Sequence, residues 1–400
     1  MASCNDGLHR YIGPTIMPNL VTQMDKRAAT FCKRSANPCA CMGIDIVQAP
    51  RCVIPYADIS GTFLITGGCG FIGSNTVIWL FDNCPNTRIV CLDNLSGTYS
   101  SLSNIPSNIQ ASSRFRFVNA SIDDGDAVTS LFLSETVRFC ICLAAWLPFE
   151  TYSFPAFVQN NIATVVAFME ICQPFCVLST PGVIGSQPAP NGARTIEHIV
   201  FQGTLMSRFM SYRHATSLNT LHPRYAELTS YTSTKMGAIG VALHYAIVNQ
   251  MPITLCHPGY VYGGVNPPPI EFLTEFKSRL DANEPIHSDL ADKYNKLDVI
   301  AMSDLMDAYA ILFLEGFLRK VVAPRHNGEI YTMREIALKM VSAVKGANTI
   351  TNGATEWIDD ADELGFIPNF AEWSQTIPMN MGACFDPVET IDDIIKKMIA

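Results

Sequence analysis

From Thr66 to Gly73 the chain reads TGGCGFIG, directly after an apolar run, Thr62–Thr66 (TFLIT), and directly before a helical pattern over Ile72–Phe81. A short buried strand, a turn with glycine at Gly67, Gly70 and Gly73, and a helix leave few arrangements open. The first glycine permits the tight turn, the second lets a ligand's pyrophosphate approach the backbone, and the third lets helix and strand pack closely. The helix then opens with unpaired N–H groups at Phe71, Ile72 and Gly73 and with the positive end of its dipole, a setting for phosphate. Asp93 stands at the end of the next apolar run, Thr87–Asp93 (TRIVCLD). A carboxylate there accepts hydrogen bonds from a ribose and repels a 2′-phosphate, so the spacing predicts a dinucleotide site that favours NAD over NADP.

The strand–helix rhythm continues. Further strands are expected at Arg114–Val118, Arg138–Ala144, Phe175–Thr180 and Ile253–His257. Helices are expected over Phe154–Ile171, Tyr231–Val248, Ser303–Leu318 and Thr390–Ile399. Continuous apolar runs alternating with helices predict an α/β fold, a doubly wound parallel sheet covered on both faces, with a smaller C-terminal substrate lobe. On this reading residues 1–60 are a poorly ordered extension, 61–260 form the Rossmann domain with an elaborated loop over 187–228, and 261–400 are mainly the substrate lobe.

Composition narrows the partners. A net charge of -9 gives no general attraction to a phosphate backbone, which argues against nucleic acid. No apolar run is long enough to span a bilayer, so no membrane is expected. The 14 cysteines lie mostly in apolar runs and lack the spacings of a disulfide framework. They read as core residues of a reducing compartment, and the location expected is cytoplasmic. Cys32, Cys39, Cys41 and Cys52 contain no CxxC pair, so no metal site is expected.

Tyr231 and Lys235 form a YxxxK pair, which on a helix places a phenol and an ammonium on one face. A nearby ammonium is expected to lower the phenol pKa and make it a general base or acid. Thr180, at the expected end of a parallel strand, would put a hydroxyl where ligands bind in such sheets.

Several motifs occur in order: TGGCGFIG, LDNL (Leu92–Leu95, with Asn94), LAA (Leu143–Ala145, with Ala144), NNIAT (Asn160–Thr164), LST followed by VIG (Val183–Gly185), YTSTK (Tyr231–Lys235) and VYG (Val261–Gly263). Together they resemble the extended short-chain dehydrogenase/reductase family, over about Gly61 to Trp373, and within it the dTDP- or UDP-glucose 4,6-dehydratases. The resemblance implies an NAD-dependent enzyme of the epimerase/dehydratase type. Gly67, Gly70, Phe71, Ile72, Gly73, Asp93, Asn94, Ala144, Ala145 and Lys235 would hold the cofactor. Tyr231 would be the base, Lys235 would hold the nicotinamide ribose, and Thr180 would contact the reacting oxygen. A nucleotide sugar is the implied substrate and a homodimer the implied assembly. The dimer helices would be Phe154–Ile171 and Tyr231–Val248, with Phe157, Val165, Phe168, Ile239, Leu243 and Ile247 either at the interface or against the sheet.

The sequence departs from the dehydratase pattern on the sugar side. The Asp-Glu elimination pair is replaced by Pro181 and Gly182, and the tyrosine after the family's valine by Ile184. The Asn-Asn before VYG is Gly259-Tyr260, two expected arginines are Val265 and Leu297, and the acid expected near the adenine is Ser121. Two functions therefore stand open. One is a divergent nucleotide-sugar dehydratase, epimerase or reductase. The other is a non-catalytic NAD-binding regulatory or scaffold subunit.

Overall fold

A computed structural model describes residues 54–147, 153–177, 194–204, 223–268, 272–282, 296–316, 321–322, 324, 330–345 and 390–399. The first half contains β1 (Ser60–Thr66), α1 (Phe71–Asn83), β2 (Asn86–Leu92), α2 (Ser107–Gln110), β3 (Phe115–Val118), α3 (Gly125–Ser134), β4 (Val137–Cys142), α4 (Phe154–Val158) and α5 (Thr164–Cys172). There follow β5 (His198–Gln202), α6 (Pro223–Ile247), β6 (Ile253–Cys256), β7 (Tyr260–Tyr262), α7 (Phe272–Asp281), β8 (Lys296–Ala301), α8 (Met302–Glu315), β9 (Val321–Val322), β10 (Ile330–Thr332), α9 (Met333–Lys345) and α10 (Ile391–Ile399).

Seven of these strands form one sheet in the order β3-β2-β1-β4-β5-β6-β9, and every neighbouring pair is parallel. Successive strand residues point to opposite faces, and the two cores follow that alternation. Phe63 and Ile65 pack with Val77 and Leu80 of α1 and with Leu305, Leu312 and Phe313 of α8. Leu64 packs on the other side with Leu131 of α3, Phe168 and Met169 of α5, and Ala238 and Ala242 of α6. Both faces are thus dry, which is why β1 is apolar at consecutive positions. The chain is α/β with a doubly wound parallel sheet.

A second, three-stranded sheet runs β10-β8-β7, antiparallel then parallel. It carries its own core, in which Tyr262, Val299 and Ala301 meet Leu273 and Phe276 of α7, Ile336 and Met340 of α9, and Ile391 and Ile395 of α10. α10 opens on Thr390, whose hydroxyl accepts the Asp393 N–H at 3.2 Å while the Asp393 carboxylate accepts the Thr390 N–H at 3.1 Å, a reciprocal cap.

Two elements differ from expectation. The strand beside β4 is β5, His198–Gln202, where Phe175–Thr180 was expected; of that run, residues 178–180 lie outside the described residues and Cys176 forms a bridge to Ile196. The signal was hidden because β5 begins with a histidine inside a polar stretch. His198 is nevertheless buried, since Nε2 pairs with the Thr254 hydroxyl at 2.8 Å and the ring meets Phe313 edge-on. The stretch read as one elaborated loop therefore contains a central strand, and its residues 187–193 and 205–222 lie outside the described ones. The second difference is a π turn, Gln159–Ala163, between α4 and α5, where one continuous helix was expected.

Candidate active site

The carboxyl ends of β1, β2 and β4 lie level, because Thr66 pairs with Leu92 on one side and Cys142 on the other. At that edge Gly67 adopts φ +67°, the left-handed region that favours glycine. A Cβ on Gly67 would lie 2.8 Å from the Ala144 backbone nitrogen, and one on Gly73 would lie 2.1 Å from the Gly67 carbonyl oxygen. Both obstacles are main chain, so the turn admits nothing larger at either place. α1 starts after Gly70, which is extended and supplies no side-chain cap. The first-turn N–H groups of Phe71, Ile72 and Gly73 thus have no capping side chain, as an anion site requires.

Asp93 closes the same edge. Its carboxylate accepts the Cys69 N–H at 2.9 Å, the Leu95 N–H at 2.8 Å and the Ser100 hydroxyl at 2.9 Å. A carboxylate offers roughly four acceptor positions, so one remains for a ribose hydroxyl. Asn94 is exposed and caps its own turn by accepting the Ser96 N–H at 3.0 Å. Ser121 donates to Asp123, which places a carboxylate two residues beyond the position where an acid was missed. The cradle, the uncapped amides and the oriented acid fit a dinucleotide.

Tyr231 and Lys235 are not at the start of their helix. α6 begins at Pro223, so the pair sits in its interior, and both side chains are buried. The Lys235 ammonium donates to the Gln202 carbonyl at the end of β5, at 3.0 Å, and lies over the Phe201 ring. Burial pushes its pKa down to about 8, with Cys142 acting in the opposite direction. Tyr231 departs from expectation: burial first, and the neighbouring Tyr260 second, raise its pKa above the ordinary phenol value. Desolvation of the phenolate outweighs the help expected from the ammonium, which is engaged with a carbonyl.

Asn161 was named only within a motif, yet it ties the site together. It is buried in the π turn, accepts the Trp146 N–H at 2.8 Å, and donates to the Trp146 carbonyl and to the Thr234 hydroxyl, both at 3.2 Å. The end of β4 is thereby fixed to the helix turn that carries Lys235. The available signal was a polar pair, Asn160-Asn161, inside an apolar helical run; a π turn around such a pair often marks a functional site. Gln202 was also missed: its side-chain oxygen accepts from Tyr309 while its backbone carbonyl holds Lys235.

The structure brings Gly67, Gly70, Phe71, Ile72, Gly73, Asp93, Asn94, Ala144 and Ala145 to one edge of the sheet, with Lys235 behind the end of β5. Thr180, Pro181, Gly182 and Ile184 lie outside the described residues. Val265 is half-exposed, and its backbone N–H and carbonyl both bond the Asn75 side chain, at 2.8 and 2.9 Å. Among the described residues there is no group of three or more histidine, cysteine or acidic side chains placed to hold a metal, and no helix long and apolar enough to cross a membrane. Cys32, Cys39, Cys41 and Cys52 fall outside the described residues.

A doubly wound parallel sheet with a glycine cradle after β1 and an acid after β2 defines the Rossmann fold class. The family model described as GDP-mannose 4,6 dehydratase matches residues 64–180. A dTDP-D-glucose 4,6-dehydratase of Dictyostelium discoideum is 25% identical over 287 residues, covering 70% of this chain and 61% of that protein. A trifunctional UDP-glucose 4,6-dehydratase of Arabidopsis thaliana is 26% identical, over 63% of this chain and 35% of its own length. The chain thus spans less than two thirds of both relatives. The structure of dTDP-glucose 4,6-dehydratase from Bacillus anthracis in complex with NAD superposes with a TM-score of 0.62 at 19% identity, covering 85% of this chain and 96% of the other. UDP-glucuronic acid 4-epimerase from Bacillus cereus in complex with NAD gives 0.60 at 18%, covering 84% and 96%. At these identities the chain is similar to the dehydratases and epimerases of the extended short-chain dehydrogenase/reductase family and shares their fold.

Proposed function

We propose that the chain is an NAD-dependent enzyme that modifies a nucleotide sugar, in the manner of the dehydratases and epimerases it resembles. The observation that carries this is the buried Tyr231–Lys235 pair beside a glycine cradle and an oriented Asp93. The N–H groups of Phe71, Ile72 and Gly73 would hold the diphosphate and Asp93 a ribose hydroxyl. When bound, NAD supplies an acceptor for hydride and can return it.

The chain's own part is proton transfer and positioning. Lys235 uses one N–H on the Gln202 carbonyl and keeps two for a ribose hydroxyl and the phenol. With a pKa of about 8 it remains mostly an ammonium at neutral pH. Tyr231, whose pKa is raised by burial, is a neutral phenol at rest. To act as the base it must first release its own proton to solvent; an ammonium turned towards it would favour the resulting phenolate, which then takes the substrate hydroxyl proton. Thr180, which lies outside the described residues, would contact the reacting oxygen, as the resemblance implies.

The test combines binding and turnover. NAD is expected to raise the melting temperature, and a panel of UDP- and dTDP-sugars is expected to contain one that is converted. Tyr231→Phe should keep the NAD shift and lose turnover by about a thousandfold, within the range for removing a general acid or base. Unchanged turnover in that variant would exclude Tyr231 as the base. An NAD shift without conversion of any sugar would favour the non-catalytic regulatory reading. We also read the exposed row of Phe154, Val166, Met236, Leu243 and Ile247 on α4, α5 and α6 as a homodimer face.

A further inference from the structure

Ser96 and Trp146 leave the sheet from strands on either side of β1, since Leu92 and Cys142 both pair with Thr66. Two strand spacings, about 10 Å, separate the backbones of β2 and β4. The two side chains nevertheless meet: the Trp146 indole N–H donates to the Ser96 hydroxyl at 3.3 Å. The contact therefore crosses the carboxyl edge of β1, over the turn where Gly67 touches Ala144.

The indole is held from behind. Asn161 bonds both the N–H and the carbonyl of Trp146, and Phe157 meets the ring edge-on with centroids 6.0 Å apart. Phe157 is buried and Asn161 sits in the π turn, so the Trp146 side is anchored. The Ser96 side is exposed and lies in the turn that follows Asp93. A rigid aromatic arm on one rim and a small hydroxyl on the other make an asymmetric bridge, with the giving side at Ser96.

We propose that Trp146 is a cofactor-binding residue that roofs the diphosphate stretch of the dinucleotide crevice, with Ser96 as its latch. The inference rests on the NAD reading above. The glycine cradle and the amides of α1 form the floor, and the indole supplies the opposite wall. The exposed latch bond opens to admit the dinucleotide and closes over it, excluding water from the charged linkage. A bound cofactor then leaves slowly, as suits a reaction in which the hydride is taken and returned without exchange.

The experiment uses the full chain with NADH. Excitation of tryptophan is expected to produce energy transfer to the reduced nicotinamide, and Trp146→Phe should remove most of it, leaving the contribution of Trp79, Trp357 and Trp373. Displacement of NADH by excess NAD in a stopped-flow instrument gives the dissociation rate. Trp146→Phe and Ser96→Ala should each raise that rate about five- to tenfold, the equivalent of one lost hydrogen bond. Trp146→Phe keeps an aromatic ring against Phe157, and Ser96→Ala alters an exposed site, so melting temperatures should stay within about 2 °C for changes that leave the core intact. Unchanged dissociation rates in both variants would overturn the proposal. So would tighter NADH binding by Trp146→Phe, which would mean that the indole obstructs the crevice. Failure of the unsubstituted chain to bind NADH would instead defeat the NAD reading itself.

Discussion

Gly73 has the least freedom of any site residue. A methyl group there would lie 2.1 Å from the Gly67 carbonyl oxygen, and a backbone atom cannot swing aside as a side chain can. Gly73→Ala is therefore expected to cost roughly 3 kcal/mol or more, and to lower the melting temperature by about 5–10 °C. The NAD-induced shift should vanish with it. A variant that melts normally and still responds to NAD would show that the turn relaxes at no cost. This constraint was legible in the sequence, because steric exclusion at a glycine depends on the local turn alone. The state of Tyr231 was not. Its neighbour Tyr260 comes from β7, the carbonyl that engages Lys235 belongs to Gln202 of β5, and the raised phenol pKa reflects burial that only the assembled sheet creates.

At the scale of elements, α5 and α6 divide their apolar residues between two faces. Val165 and Phe168 are buried in the core on the sheet and Phe157 is buried against Trp146, so they do not form the free face that was one of two expected placements. Leu243 and Ile247, from the same set, are 40% and 65% exposed, and Met236 and Val166 extend the row. An apolar row on paired helices is a surface that a second copy can cover. Sedimentation is expected to give a dimer, and the double substitution Leu243→Glu with Ile247→Glu a folded monomer. A monomer from the unsubstituted chain at all concentrations would reject the interface. Helical periodicity located these apolar positions, but which side met the sheet depended on the packing of α5 against α6.

At the scale of the whole molecule, acid stability should depend on one buried histidine in a central strand. His198 has its pKa lowered by burial from 6.5 to about 4. Below pH 6.5 the unfolded chain binds a proton that the folded chain refuses, so stability is fully present above that value and falls as pH drops towards 4. Between pH 7 and pH 5 the expected loss from this residue is about 2 kcal/mol. Denaturant unfolding at the two pH values checks it, and His198→Gln should remove that part of the slope. An equal slope in both proteins would mean that the ring takes up its proton within the fold.

The order of strand, glycine turn, helix and acid was settled by local sequence, because each step follows from chain stiffness, glycine sterics and the burial of short apolar runs. The same local rules identified Tyr231 and Lys235 as a pair on one helical face. Which segment became β5 was decided by tertiary structure: His198–Gln202 lies between β4 and β6 because His198 finds Thr254 and Phe313 there, partners distant in sequence. The link from Asn161 to Trp146 and on to Ser96 is of the same kind. Pairing between residues brought together from separate elements depends on their positions in three dimensions, and pattern along the chain carries no record of it.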